Sequence, residues 1–308
     1  MIGEDAFDVI VVGAGIAGLT AARETASLGL STACIEALMF GGLIVNINEL
    51  DPAVPGAPDS GVDFASELMM RAVDGGVTSI ADTVISIERS EGSFGVVCAE
   101  GRQNARSVIL ASGASLKRLG IPGEEEFENR GISHCADCDG PFYAGQDVVV
   151  VGGGDSALQE ALVLAKYCRH VHLVHRREQF SARASFVDAI AACGNVSMHW
   201  NSVLEEIQGD AQVSTIVVHN TADRRLEHIA CTGLFAFIGL EPNLAYLPLD
   251  VARDPGGRAI ADAALQTAWP GMFAAGAVRS GCGGLLADAV ADGLLAAASA
   301  GAFVRAPA

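Results

Sequence analysis

The chain has 308 residues, enough for two domains of ordinary size. Lys and Arg number 19 against 37 Asp and Glu, a net charge of −18, and so acidic a surface repels phosphate backbones and excludes a nucleic-acid binder. Half of the residues are hydrophobic and 18% are charged, which argues against disorder, and the 36 glycines follow no triplet period, which excludes collagen.

The first residues, Met1-Ile2-Gly3-Glu4-Asp5, are acidic and lack a secretory n-region. The longest apolar stretch read from the sequence, Ile229 to Leu240, is interrupted by Gly233 and Gly239 and is too short to span a bilayer. A cytoplasmic protein with no membrane partner is expected. Six of the eight cysteines are scattered (Cys34, Cys98, Cys168, Cys193, Cys231 and Cys282), which is no disulfide framework.

Residues 7–26 read FDVIVVGAGIAGLTAARETA. An apolar run of β-branched residues leads into a glycine turn and then into helical spacing, the opening of a dinucleotide-binding βαβ unit. Gly13 serves the tight turn, Gly15 lets a pyrophosphate approach the backbone, and Gly18 lets helix and strand pack closely; Ile16 and Ala17 open the helix whose N-terminus faces the phosphates. The next strand, Ser31 to Ile35, ends at Glu36, where a carboxylate accepts hydrogen bonds from an unphosphorylated ribose; FAD and NAD both qualify.

Further along lies Ser-His-Cys-Ala-Asp-Cys-Asp-Gly-Pro, residues 133–141. Cys135 and Cys138 have no second ligand pair, so no metal is expected. Two inert cysteines do not account for the spacing. A redox dithiol does, with one thiolate stabilised by its neighbours and Asp139 as proton donor or acceptor. His134 reads as a surface histidine or as a modulator of Cys135.

At an offset of 139 residues, 146–165 repeat the first unit as QDVVVVGGGDSALQEALVLA. Gly152, Gly154 and Ala157 take the places of the three glycines, with Asp155 and Ser156 opening the helix. The position equivalent to Glu36 is His175, followed by Arg176 and Arg177. No acid is present and two guanidiniums are, so this site favours the 2′-phosphate of NADP over a merely solvated basic patch.

Taken together, GAGIAG at 13–18, Gly41-Gly42, LASGA at 110–114, CADCDG at 135–140, GGGDSA at 152–157, HRREQF at 175–180, GLFAFIG at 233–239 with Pro242-Asn243, and PGMFAAG at 270–276 resemble the low-molecular-weight thioredoxin reductases, a class of pyridine nucleotide-disulfide oxidoreductases. The resemblance implies an α/β fold of two Rossmann-like, three-layer ββα dinucleotide-binding domains, the second inserted in the first. The FAD domain would be 1–113 and 244–308, and the NADP domain, carrying the CxxC, 114–243. FAD would contact Gly13, Gly15, Ile16, Ala17, Gly18, Glu36, Gly41, Gly42, Gly113, Gly276 and Ala277. NADPH would contact Gly152, Gly154, Asp155, Ser156, Ala157, His175, Arg176 and Arg177. Electrons would pass from NADPH through FAD to Cys135–Cys138 and on to thioredoxin or a similar small disulfide protein, with Cys138 facing the flavin and Cys135 attacking the partner. A homodimer is implied, as is a rotation of the domains about linkers near Gly113, Gly120, Gly239 and Pro242.

The sequence departs from that family at four places. Ala277 stands where an Asp holds the flavin ribityl chain, Gly284-Leu285-Leu286 replace Arg-Gln-Ala, Leu43 replaces a Gln, and Ser181 replaces a third arginine, with Arg183 two residues on. Three of the four fall on the flavin side. They keep two alternatives open: a dithiol oxidase using oxygen, against which Asp139 argues, and a degenerate flavin-binding redox sensor.

Overall fold

The computed structural model describes residues 6–47, 50, 60–90 and 92–306. The acidic start, Met1 to Asp5, lies outside them. The chain divides into two compact units, 1–115 with 241–308, and 116–240. The boundaries expected from sequence lie two residues before the first crossing and three after the second.

In the first unit β1 (Phe7–Val12), α1 (Ile16–Ser27) and β2 (Thr32–Glu36) form the expected βαβ opening, followed by α2 (Gly61–Asp74) and β3 (Thr78–Ala81). β1 pairs in parallel with β2, and β2 with β3. The run at β1 is apolar throughout because both of its faces are covered. Val9 and Val11 join the core beneath α1, while Ile10 and Val12 join the core on the opposite face.

That opposite face is covered by β4 (Val84–Ser90) and β5 (Ser93–Cys98), an antiparallel pair that contributes Ile87, Phe94 and Val96. The long β6 (Arg102–Leu110) serves both layers. One edge pairs with β1; the other pairs antiparallel with β5 up to Ala105 and parallel with a later strand from Val108.

The linking strands β7 (Ala114–Leu116) and, later, β16 (Leu240–Pro242) form a two-stranded ribbon. The second unit begins with α3 (Glu124–Phe127), β8 (Ile132–Ser133) and α4 (Ala136–Asp139). It then repeats the opening motif as β9 (Asp147–Gly152), α5 (Asp155–Ala165) and β10 (His170–Val174), followed by α6 (Ala184–Ala191) and β11 (Val196–His199). An antiparallel meander, β12 (Ser202–Gly209), β13 (Val213–Asn220) and β14 (Leu226–Ala230), precedes β15 (Gly233–Phe237). The parallel sheet has the order β11-β10-β9-β15-β8. As in β1, the residues of β9 alternate: Val148 and Val150 face the α5 side, while Val149 and Val151 face the meander.

Back in the first unit, β17 (Met272–Ala274) takes the remaining edge of β6, and α7 (Leu286–Arg305) closes the fold against α1. At 20 residues α7 is long and apolar enough to cross a membrane by length and composition, although Asp288 and Asp292 interrupt it and no uncharged run in it is longer than Ile229 to Leu240. Ala296, Ala297 and Ala300 are fully buried, so this helix packs in the core of the unit.

Candidate functional site

Each repeat builds one nucleotide cradle. In the first unit Gly13 adopts φ +103°, and a Cβ there would collide with the Ala111 carbonyl. A Cβ on Gly18 would strike the Gly13 carbonyl oxygen, so helix and turn meet without a side chain between them. Gly15 differs: its backbone is extended, and a Cβ would find only the Gly41 carbonyl, 3.9 Å away. The space over Gly15 is therefore open, which is what a close-approaching pyrophosphate requires.

Several expected residues gather at this turn. The Gly41 N–H donates to the Ala14 carbonyl at 2.7 Å, Gly15 and Gly41 form a parallel bridge, and a Cβ on Gly42 would lie 3.6 Å from the Gly15 Cα. Glu36 Oε2 accepts the Ala14 N–H at 2.8 Å and Oε1 the Leu38 N–H at 3.1 Å, so the carboxylate also holds the glycine loop in place. A Cβ on Gly276 would come within 2.8 Å of the Ala17 Cβ, which puts the Gly276 turn against the start of α1. Gly113 follows Ala111 and Ser112, the segment on which Gly13 packs.

Sequence reasoning missed what holds the Gly276 turn. Asp292 of α7 is buried; its Oδ2 accepts the Gly276 N–H and Arg279 Nε, both at 2.9 Å, and its Oδ1 accepts Arg279 Nη2 at 3.0 Å. The only sequence signal was an Asp within an apolar helix. The cradle fits the adenosine-pyrophosphate end of FAD. Beyond it Ala277 offers no polar side chain, Leu43 and Leu285 are exposed, and Leu286 packs on the core beneath. The Leu285 N–H donates to Asp288 Oδ2, which caps α7.

The second unit repeats the cradle with one difference. Gly152 has φ +145°, and a Cβ there would collide with the Phe237 carbonyl and crowd the Ala157 Cβ. Gly154 is extended and open, with Ser181 Oγ 4.0 Å from a Cβ. Exposed Ser156 begins α5, and Asp155 accepts the Arg183 N–H and Nε, at 2.8 and 2.7 Å. Ser181 donates its N–H and its hydroxyl to the Gly153 carbonyl, at 2.8 and 3.1 Å. The Arg176 and Arg177 side chains are exposed and make no ion pair among the described residues. His175 is buried between Phe180, Trp200 and the glycine turn. These residues fit a dinucleotide that ends in an anionic group beside two guanidiniums.

The same unit carries the cysteines. Cys135 and Cys138 are joined as a disulfide, with Cα atoms 5.3 Å apart. Cys135 caps α4, its Sγ accepting the Cys138 N–H at 3.1 Å, an arrangement that also stabilises a thiolate there. The Ser133 hydroxyl donates to Asp139 Oδ2 at 2.6 Å and fixes that carboxylate one residue from Cys138. Glu160 of α5 accepts the Ala136 N–H at 2.6 Å, joining α4 to the nucleotide-binding helix; burial, with Asp137 nearby, raises its pKa. His134 pairs with Glu128 at 2.9 Å on the surface. Neither Ser133 nor Glu160 was singled out from sequence.

Four other cysteines are buried. Burial pushes the thiols of Cys34 and Cys231 up to about 12 and that of Cys168 up to about 11, and raises that of Cys98.

Residues 7–293 match the family described as pyridine nucleotide-disulphide oxidoreductase. A thioredoxin reductase of Treponema pallidum is 37% identical over 303 residues, covering 98% of both chains. Among solved structures, Lactococcus lactis thioredoxin reductase superimposes with a TM-score of 0.89 at 33% identity, covering 97% of this chain and 99% of that one. Thioredoxin reductase of T. acidophilum superimposes with a TM-score of 0.86 at 30% identity over the same shares.

Proposed function

The chain belongs to the pyridine nucleotide-disulphide oxidoreductase family, and from that membership we propose how its own residues divide the work of a disulfide reductase. It is a flavin-dependent reductase of the thioredoxin reductase kind, using FAD and NADPH. FAD, when bound, supplies the two-electron relay between nicotinamide and disulfide that no side chain offers. The Gly13–Gly18 turn, Glu36, Gly41, Gly42 and the Gly276 turn hold it. The Gly152–Ala157 turn and the His175–Arg177 segment hold NADPH.

The observation that carries the residue assignment is the Cys135–Cys138 disulfide, with Asp139 fixed beside it by Ser133. Once reduced, Cys135 attacks the partner's disulfide and forms a mixed disulfide. Cys138 then displaces the partner's remaining sulfur. Two thiols of this chain become one disulfide, and one disulfide of the partner becomes two thiols. Asp139 takes up and returns the proton at the Cys138 end.

The proposed partner is thioredoxin or a small protein like it. Phe142, 77% exposed four residues after Cys138, supports a protein rather than a small molecule, because an uncovered aromatic ring beside the disulfide offers an apolar anchor. We extend the proposal to a homodimer, supported by the exposed Leu294 and Leu295 of α7 and Met70 and Val73 of α2, and tested by light scattering. Six unpaired cysteines support a reducing, cytoplasmic setting.

The test is an anaerobic titration with NADPH and, separately, NADH, following the flavin spectrum, for the wild type and Cys138→Ser. NADPH bleaches the flavin in both proteins, and only the wild type turns over a thioredoxin disulfide. Turnover that survives in Cys138→Ser overturns the assignment.

A further inference from the structure

We propose that Glu160 is a positioning residue for the attack of Cys135 on the partner's disulfide. Its carboxylate takes the Ala136 amide at the start of α4 and, as a second negative charge at that end, keeps the Cys135 sulfur basic and strongly nucleophilic. The inference rests on the disulfide reductase reading above, in which Cys135 is the attacking thiol.

The sequence of α5 sets the position. Ala157, Leu158, Ala161 and Leu164 are fully buried. Glu160 follows Ala157 by three residues and precedes Leu164 by four, so it borders the buried stripe and is itself half-buried. Ala136 is 0% exposed and packs in the same core cluster as Ala157, Ala161 and Leu164. An amide brought there needs an acceptor, and Glu160 Oε2 accepts it at 2.6 Å. A neutral oxygen would satisfy the amide as well. The chain instead places a carboxylate there, whose pKa is raised by burial and by the nearby Asp137. No cation pairs with it among the described residues.

The amide that Glu160 takes is the one joined to Cys135. Its nitrogen is bonded to the Cys135 carbonyl carbon, and covalent geometry keeps Sγ within about 4 Å of that nitrogen. The Cys135 Sγ in turn accepts the Cys138 N–H at 3.1 Å. Amides of a first helical turn point out of the same helix end, so sulfur and carboxylate share it. Once the pair is reduced, the Cys138 amide supports a Cys135 thiolate, and the carboxylate, a like charge a few ångströms away, opposes it.

The surrounding elements do not cancel that opposition. On α4, Asp137 is exposed and Asp139 is held by Ser133; both are acids. His134 is paired with Glu128. Tyr143, in the turn after α4, has its pKa raised by burial and then by Asp139 and stays neutral, and the Tyr167 ring lies against Gly140. On α5, Asp155 is paired with Arg183, and exposed Lys166 stands six residues beyond Glu160, about 9 Å along the axis. A thiol whose thiolate is poorly supported is a stronger nucleophile once ionised, and its dithiol gives up electrons more readily. Both suit a pair that hands electrons on.

The test uses the full-length flavoprotein carrying Cys138→Ser, which leaves Cys135 as the single thiol of the pair. Alkylation by iodoacetamide is followed against pH, with the Cys135 peptide read by mass spectrometry so that Cys193 and Cys282 do not contribute. Glu160→Gln keeps an oxygen for the Ala136 amide and removes the charge. It lowers the Cys135 titration by about one pH unit, a tenfold change. In the protein with both cysteines it makes the potential of the pair less negative by about 30 mV wherever the thiolate is populated, the same tenfold change. Glu160→Ala moves the titration in the same direction and decides the matter if the Gln protein does not fold, retained flavin marking the folded chain. A purely structural tether gives Glu160→Gln the wild-type profile, and that result, or an upward shift, overturns the inference. The reading beneath it is tested separately: the reduced Cys138→Ser protein traps oxidised thioredoxin as a mixed disulfide at Cys135, and no such adduct overturns that reading whatever the titration shows.

Discussion

Asp292 grips Arg279 with both carboxylate oxygens, at 2.9 and 3.0 Å, while the same Oδ2 receives the Gly276 amide. The pair locks the turn after β17 to α7 and so shapes one wall of the first cradle. Removing one partner strands a charge in a largely dry place. Asp292→Ala therefore lowers unfolding stability by about 3 kcal/mol, read from urea denaturation, and sheds flavin before the chain unfolds. An unchanged midpoint would show that water replaces the carboxylate.

The two cradles predict opposite behaviour for two similar substitutions. Gly18→Ala drives a methyl group into the Gly13 carbonyl and destabilises the first unit. Gly154→Ala meets nothing closer than Ser181 Oγ at 4.0 Å and keeps an extended backbone, so its stability stays within about 0.5 kcal/mol of wild type. Its NADP+ affinity nonetheless falls by at least about tenfold, about 1.4 kcal/mol, because the methyl group occupies the space reserved for the pyrophosphate. Thermal melting and nucleotide titration separate the two outcomes.

The Ser133 hydroxyl donates to the Asp139 carboxylate at 2.6 Å. Ser133→Ala leaves NADPH reduction of the flavin at the wild-type rate and slows turnover of the disulfide partner by about tenfold, less than the roughly hundredfold loss for Asp139→Asn. Stopped-flow bleaching compared with steady-state turnover checks both. Ser133→Thr, which keeps the hydroxyl, recovers most of the loss.

Ala277 is an apolar residue at the position where the resemblance read from the sequence implies an Asp against the flavin ribityl chain. Ala277→Asp tightens FAD by about 1–2 kcal/mol, measured as flavin retained through desalting in chaotropic salt. No gain would mean that this chain holds the ribityl chain through other groups.

His172 gives the second unit a pH dependence. Burial, then the neighbouring His199 and His170, lower its pKa to about 4. The unfolded chain binds a proton near the ordinary histidine pKa of about 6.5, whereas the folded chain resists until about 4. Its contribution to stability is complete above 6.5, falls as pH drops through that window, and is lost below 4. His172→Gln flattens this part of the curve of urea midpoint against pH.

Local signals made the two strand-turn-helix openings legible. β1 and β9 announce themselves as doubly covered apolar runs, and the glycine spacing marks Gly13, Gly18 and Gly152, although only Gly18 has its closest obstacle a few residues away, the carbonyls that exclude a side chain at Gly13 and Gly152 belonging to Ala111 and Phe237. Cys135, Cys138 and the Glu36/His175 contrast were legible for the same reason. What stayed hidden depends on distant partners: Asp292 with Arg279, Glu160 with the Ala136 amide, and Gly153 with the His175 ring. No periodicity encodes that β6 divides one edge between β5 and β17, since either pairing suits the same apolar strand. α7 was hidden by its own Asp292, which reads as a surface residue until Arg279 is seen beside it.

The buried sulfurs bear on self-protection. An enzyme that handles disulfides through an exposed pair is exposed to scrambling by its own spare thiols. Cys34, Cys168 and Cys231, held protonated far above neutral pH and shut away from solvent, make poor nucleophiles toward a mixed disulfide. Packing alone thus withdraws these three sulfurs from the exchange reaction, leaving Cys193 and Cys282 as the half-exposed spare thiols.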